Sequence, residues 1–260
     1  MSAAVASATR VAIVTGAAQG IGLSIALRLA DDGLDIAVND ITPKSDLLQA
    51  VVSDIQAKGR RAIAVPADVT SEEEVKGMVE KVVEELGTVD VMVANAGILI
   101  LRKLLDSSVE EWERVMSVNV RGVMLCYKYA AAQMIKQGHG GRIIGASSSA
   151  GKRGAALMSA YCASKFAVRG LTQSLAVEMR GHNITVNAYC PGVLITPMSQ
   201  HPDDDVNGGP VSTFLKTIGM PLSSELGSPD VVASLVSYLV KPEAHFVTGQ
   251  SINLNPRLFD

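Results

Sequence analysis

Short, nearly unbroken apolar runs alternate along the chain with longer amphipathic ones. Val11–Thr15, Asp35–Asn39 and the stretches 61–66, 89–94, 142–146 and 184–189 are rich in Val, Ile and Ala. Strands of that character are buried on both faces, as in a parallel sheet covered by helices on either side. Between them, 21–32, 45–58, 71–86, 108–137 and 158–180 place apolar residues at helical spacing. Thr70 or Ser71 precedes Glu72-Glu73-Glu74, a first turn whose carboxylates suit the positive end of a helix. Gly33, Gly59, Gly87 and Gly181 each follow a helical run, where a left-handed cap is expected. The beat of roughly 25–30 residues is the strand-plus-helix unit of a doubly wound sheet, not a solenoid repeat.

After Pro191 the rhythm breaks. The segment 201–227 holds three consecutive Asp, Gly208-Gly209-Pro210 and two further prolines before helical signals resume at Ser228-Pro229-Asp230. An insert of this kind inside a compact unit predicts a lid, placed around 198–227. A last strand is expected over 250–254. The reading is an α/β chain: a Rossmann-type, doubly wound, three-layer α/β/α arrangement with a seven-stranded parallel sheet, in one domain over 1–260.

Composition narrows the function classes. Apolar residues make up 48% and charged ones 19%, enough to bury a large core and too apolar for disorder. A net charge of −3 from 23 basic and 26 acidic residues, with four Phe, five Tyr and one Trp, provides neither the basic stripe nor the stacking platform of a nucleic-acid binder. Cys126, Cys162 and Cys190 have no ligand spacing, and an odd count cannot close a full disulfide framework, so free thiols in a reducing compartment are expected. His139, His182, His201 and His245 are scattered, and no metal site is expected. The first ten residues lack the charged start and long apolar stretch of a secretory leader. No apolar run approaches the length of a membrane span, and the last residues form no lipidation or peroxisomal address. A cytoplasmic protein is the expectation.

The first candidate chemistry lies after the first strand. Gly16-Ala17-Ala18-Gln19-Gly20-Ile21-Gly22 opens directly into a helix. Glycines there let the backbone turn tightly and approach a pyrophosphate, which the helix N-terminus favours through its free N–H groups and dipole. The second strand runs into Asp40, placed to accept hydrogen bonds from the adenosine ribose hydroxyls. A 2′-phosphate would meet like charge at Asp40, and Gln19 leaves the turn without a basic partner, so NAD is expected over NADP. Asp68, followed by Val69, would flank the adenine.

Tyr161 and Lys165 are four apart on a helical stretch, hence on one face. Ser148 stands thirteen residues before Tyr161, beyond the strand at 142–146, at the end of the sheet where ligands bind in open parallel folds. With these residues in place, the chain resembles the short-chain dehydrogenase/reductase family in its shorter, single-domain form, over nearly its whole length. The resemblance rests on Thr15-Gly16-(x)3-Gly20-Ile21-Gly22, Asn95-Ala96-Gly97, Asn119 in Val118-Asn119-Val120-Arg121-Gly122, Ser148, Tyr161-(x)3-Lys165 and Pro191-Gly192-(x)3-Thr196, all in family order. Lys165 to Gln173 and the Gly138-His139-Gly140-Gly141 turn look most like acetoin/diacetyl reductases and butanediol dehydrogenases.

The resemblance implies an NAD(P)-dependent oxidoreductase interconverting a secondary alcohol and a ketone. Tyr161 would be the general acid or base; a free phenol titrates near pH 10, and Lys165, together with the positive nicotinamide of the oxidised cofactor, would lower that value. Lys165 would also hold the nicotinamide ribose, Ser148 would donate to the substrate oxygen, and Asn119 would fix a water leading to Lys165. Asn95, Ala96 and Gly97 would close under the adenosine side, and Pro191, Gly192, Val193 and Thr196 would clamp the nicotinamide end.

A homo-oligomer, tetramer or dimer, is implied, although Pro256 and Arg257 replace the glycines with which the family's last strand usually ends. Asp203-Asp204-Asp205 reads as a solvated charge run. Ile98, Leu99, Ile100, Leu101, Leu157, Met158 and Leu194 predict an apolar substrate wall. Three other readings are weaker. A non-catalytic NAD(H)-binding sensor or scaffold would be favoured by loss of Ser148, Tyr161 or Lys165, and all three are present. A serine hydrolase lacks its G-x-S-x-G elbow. A P-loop at Gly145 to Lys152 has the wrong spacing and Arg153 where Ser or Thr should stand.

Overall fold

The computed structural model describes residues 9–255; the expectations for the first eight residues and for Pro256 and Arg257 fall outside them. Seven strands form one sheet: β1 (Val11–Thr15), β2 (Asp35–Asn39), β3 (Ala62–Ala64), β4 (Val91–Ala94), β5 (Gly141–Ala146), β6 (Ile184–Pro191) and β7 (Ser251–Leu254). Their order is β3-β2-β1-β4-β5-β6-β7, and every pairing is parallel. Every residue of β1, β2, β4 and β6 is buried, which is why their sequences show no alternation. The chain runs outward from β1 through β2 to β3 and then crosses to β4 on the other side. A doubly wound sheet has its ligand crevice beyond the strand ends at such a reversal, here between β1 and β4.

Helices cover both faces. On one lie α1 (Gly20–Asp31), α2 (Ser45–Ala57) and α9 (Asp230–Val240), burying Ile25, Leu29, Leu48, Ile55, Val232 and Val236 against Val14, Val38 and Val93. On the other lie α3 (Glu72–Leu86), α4 (Val109–Met116), α5 (Val123–Gln137) and α6 (Ser159–Glu178), with Val75, Val82, Tyr127, Met134 and Val168 against Ile13, Met92 and Ile143. A fully buried Leu or Ile of this kind contributes about 1.5–3 kcal/mol. Two short helices, α7 (Asp204–Asn207) and α8 (Ser212–Thr217), stand between β6 and α9.

The local signals hold at most helix ends. Ser71 Oγ caps α3 by accepting from Glu74 N, and Gly33, Gly59 and Gly87 take left-handed backbone. Gly181 does not. A 3-10 turn over Met179–His182 prolongs α6, and Asn183, with φ 57°, becomes the left-handed residue instead. Asn tolerates that region better than most side chains.

The helix expected over 108–137 is interrupted. Between α4 and α5, Ser117–Gly122 forms a π turn. The cause is Asn119, whose Oδ1 accepts from Ile98 N (2.8 Å) while its Nδ2 donates to Ile98 O (2.9 Å), opening the ladder by one residue.

The acidic run at 203–205 is a second correction. Asp203 and Asp205 are exposed, but Asp204 is buried and accepts hydrogen bonds from the backbone N–H groups of His201, Val211 and Thr213. A short side chain beside a turn can satisfy local backbone donors in this way, so it turns inward while its neighbours face water.

Candidate active site

β1 delivers the chain to the crevice, and Gly16 and Gly20 turn it there with φ of 64° and 59°. A Cβ on Gly16 would lie 2.9 Å from Ala96 Cα, and one on Gly22 would overlap the Gly16 carbonyl oxygen. No side chain caps the N-terminus of α1 at Gln19, which leaves that helix end to an anion. The turn is tied to its neighbours from below. Thr15 Oγ1 accepts from the backbone N–H groups of Asn95 and Ala96, both at 3.0 Å, while Asn95 Nδ2 donates to Thr15 O (2.8 Å) and Gly16 O (3.2 Å). Tyr189 completes the lock by donating its hydroxyl to Asn95 Oδ1 at 2.8 Å. Sequence reasoning missed Tyr189; an aromatic ring in a strand of otherwise small residues was the available signal.

Asp40 follows β2 and is 8% exposed. Its carboxylate accepts from Ala18 N (3.3 Å) and Ile41 N (3.0 Å), and Lys44 Nζ stands 3.5 Å away. Lys44 was also missed, although its i, i+4 spacing from Asp40 was visible. Asp68 is exposed, with Thr70 N donating to its Oδ1, and Val69 beside it is buried.

A cavity of about 460 Å³ runs along the strand ends. It brings together Gly16, Gln19, Gly20, Ile21, Asp40, Asp68, Val69, Asn95, Ala96, Gly97, Tyr161, Lys165, Pro191 and Thr196, with Lys44 and Tyr189. Gly192 and Val193 line a separate cavity with Asn253 and Asn255, and Gly22 packs beneath the turn. Asn119 is fully buried, with Gly97 between it and Lys165: a Cβ on Gly97 would lie 3.3 Å from Asn119 Oδ1 and 3.4 Å from Lys165 Nζ.

Ser148 follows β5 in extended backbone; its hydroxyl accepts from Ala150 N at 3.1 Å and hydrogen-bonds Tyr161. Tyr161 stands in the first turn of α6 and Lys165 one turn on, 3% exposed. Lys165 Nζ donates to Ala146 O at 2.8 Å and lies 5.3 Å from the centre of the Tyr161 ring. Burial lowers the Lys165 ammonium to about 8. Burial likewise pushes the Tyr161 phenol up to about 12, against the lowering hydrogen bond from Ser148. The lowered phenol expected from Lys165 is therefore not a property of the protein alone, because the ammonium points at a carbonyl. Ser164 is a further unanticipated member: fully buried, it donates to Tyr161 O (2.7 Å) and accepts from Asn119 Nδ2 (3.1 Å).

Tyr161 also packs into an apolar cluster. Ala150, Met158 and Cys162 pack with Leu99, Leu101, Phe214 and Ile218. Leu194, expected there, packs instead in the core with α1 and α9, its strand end bridged to Gly227. All three cysteines are free and buried. Among the described residues, no cluster of His, Cys, Asp or Glu could hold a metal ion, and no helix is long and apolar enough to cross a membrane.

The glycine cradle, the uncapped helix end and the carboxylate after β2 fit a dinucleotide in chemistry and extent. Comparison with known proteins agrees. The family model for short chain dehydrogenases matches residues 10–207. A short-chain dehydrogenase/reductase of Armillaria gallica is 47% identical over 98% of both chains. The structure of acetoin dehydrogenase YohF from Salmonella typhimurium superposes with a TM-score of 0.81 at 35% identity, covering 95% of this chain and 94% of that one. A short chain dehydrogenase from Burkholderia cenocepacia J2315, solved in complex with NADP, does so at 0.82 and 35%, covering 95% and 96%. A doubly wound parallel sheet, a glycine cradle at its reversal point and these likenesses lead to one conclusion: the chain belongs to the short-chain dehydrogenase/reductase family, oxidoreductases that work with a pyridine nucleotide.

Proposed function

We propose that the protein interconverts a ketone and a secondary alcohol, using NAD in preference to NADP. The observation that carries this is the hydrogen bond of Ser148 to Tyr161, which lines the cofactor cavity with Lys165 and packs on its other side with an apolar cluster. When bound, the nicotinamide supplies a hydride to the carbonyl carbon in reduction and accepts one in oxidation.

The chain's own residues do the rest. Ser148 orients the substrate oxygen and stabilises the charge that develops on it. Tyr161, a phenol already neutral at working pH and kept so by burial, gives that oxygen its proton in reduction. In oxidation it must take a proton, and there a positive nicotinamide and a charged Lys165 favour the phenolate. Asn119 and Ser164 hold the π turn against Tyr161 and Ile98.

Asp40 supports the preference for NAD, since its carboxylate stands where a 2′-phosphate would be repelled. Lys44 partly neutralises that carboxylate and faces the same cavity, so NADP is disfavoured rather than barred. The same reading keeps the chain as one catalytic domain whose segment 198–227 serves as the substrate lid. It also keeps a homo-oligomer, for which exposed Met124 and Ile135 on α5 and Phe166 and Val177 on α6 supply apolar surface. The test is a screen of purified protein with NADH and NADPH over ketones and secondary alcohols, read by nicotinamide absorbance. Ketone-dependent oxidation of NADH supports the proposal; binding of the dinucleotide without turnover of any carbonyl compound rejects it.

A further inference from the structure

Among the described residues, three that are not glycine have left-handed backbone. Asn183 ends a helix at the far end of the strands from the cavity. The other two, Leu157 (φ 65°) and Val211 (φ 66°), stand in the chain just before Met158 and Phe214, two members of the apolar cluster that packs with Tyr161. For a β-branched residue such as Val211 that conformation is an outlier, and it persists only where the surroundings enforce it.

The enforcement at Val211 comes from one side chain. Asp204 Oδ2 accepts from Val211 N (2.9 Å) and His201 N (2.9 Å), Oδ1 accepts from Thr213 N (2.9 Å), and the carbonyl oxygen of Asp204 accepts from Ser212 Oγ (2.9 Å). Val211 itself is fully buried. Burial raises the Asp204 carboxyl, but the amide donors outweigh it and hold it near 2, so the group is ionised at any working pH. The residues this arrangement fixes lead straight into α8, which lays Phe214 and the following Ile218 onto Met158 and Cys162 opposite Leu99 and Leu101. At the other position, Arg102 N donates to Leu157 O (2.8 Å), which fixes Met158 beside it.

We infer that Asp204 is a positioning residue for substrate selection: it holds an apolar roof, Phe214 and Ile218, over Tyr161, and thereby selects an uncharged ketone whose carbonyl carries a hydrocarbon body reaching that roof. The inference rests on the proposed ketone chemistry and deepens it. It also gives the acidic run a purpose, since only its middle member turns inward. A small diketone has no hydrocarbon body to reach the roof and gains nothing from it.

The test compares α-tetralone with diacetyl, using NADH and the full-length protein, for wild type, Asp204→Ala, Phe214→Ala and the exposed control Asp205→Asn. Wild type should favour α-tetralone in kcat/KM by about tenfold or more, the scale of a few hydrocarbon contacts. Asp204→Ala should raise KM for α-tetralone about tenfold with a much smaller change in kcat, while KM for NADH stays within about twofold. Phe214→Ala, which leaves the Asp204 hydrogen bonds intact, should erase the same preference, and Asp205→Asn should change nothing. Hydrogen exchange reads the clamp without activity: the Val211 and Thr213 amides should be protected in wild type and exchange faster in Asp204→Ala. A wild type that prefers diacetyl, or Asp204→Ala with unchanged preference and unchanged amide protection, overturns the inference. A wild type that turns over neither ketone, nor any other carbonyl compound, rejects the ketone chemistry and the substrate half of the inference with it; amide exchange then still decides whether Asp204 holds the roof.

Discussion

On the cofactor side of the cleft, Thr15, Asn95 and Tyr189 tie β1, the end of β4 and, across β5, β6 together through side-chain hydrogen bonds, and the left-handed positions at the turn are glycines. On the substrate side the left-handed positions are Leu157 and Val211, the first held by Arg102 from a distant segment and the second by Asp204, seven residues earlier in the same segment. The first wall meets a fixed demand, a backbone brought close to phosphate, and residue type alone meets it. The second presents a shape, and that shape is kept against the residues' own backbone preference by hydrogen bonds from Arg102 and Asp204. One wall is relaxed where it binds; the other is held under strain.

Four substitutions break or sharpen that contrast. The largest effect is expected where the walls meet: Tyr161→Phe should lower kcat by about a thousandfold, within the usual span for an acid/base group, while NADH fluorescence titration shows binding intact. Retention of most of the rate would remove Tyr161 from its role. On the relaxed wall, Gly22→Ala forces a methyl group against the Gly16 carbonyl, so unfolding in denaturant should show a loss of about 2–3 kcal/mol and NADH affinity should fall with it. Asp40→Ala should move the NAD-to-NADP ratio of kcat/KM toward NADP by about tenfold, because it removes the repelling carboxylate and releases Lys44. An unmoved ratio would show that cofactor choice is made elsewhere. The smallest change has the opposite sign. Leu157→Gly on the strained wall should raise stability slightly, by at most about 1 kcal/mol, because glycine adopts φ 65° without cost while the half-buried leucine gives up little contact. Net destabilisation would mean that the Leu157 side chain, not its backbone, shapes that wall.

The contrast also explains what could be read from residues alone. β1, β2, β4 and β6 declared themselves because each buries both faces, and Gly16, Gly20, Gly22, Asp40, Tyr161 and Lys165 stood out because the proposed chemistry demands a residue type at a spacing. Ser164 was invisible because its partner Asn119 lies far along the chain, and Tyr189 showed only its ring and not its distant partner Asn95. Asp204 was hidden between two acidic residues that do face water. Leu194 pairs with Gly227 rather than facing the substrate, which no local pattern announces. The break at Ser117–Gly122 escaped for a similar reason: a side-chain amide competes there with the helix for direction, and its partner Ile98 belongs to another segment.

That π turn also sets an angular phase. Successive residues of an α-helix are about 100° apart around its axis, so one extra residue turns everything after it by that amount. Downstream, Tyr127 sends its hydroxyl to Thr172 at 2.9 Å, through a gap that stays open only because Gly145 has no Cβ. Met134 fills the corresponding space beside Gly141. Closed to a plain α-helix, the segment would aim both side chains about a quarter-turn away from the strand that leaves them room. Asn119 therefore acts as an indexing pin: by holding one surplus residue beside Gly97 and Ile98, it decides which face of α5 the rest of the core receives.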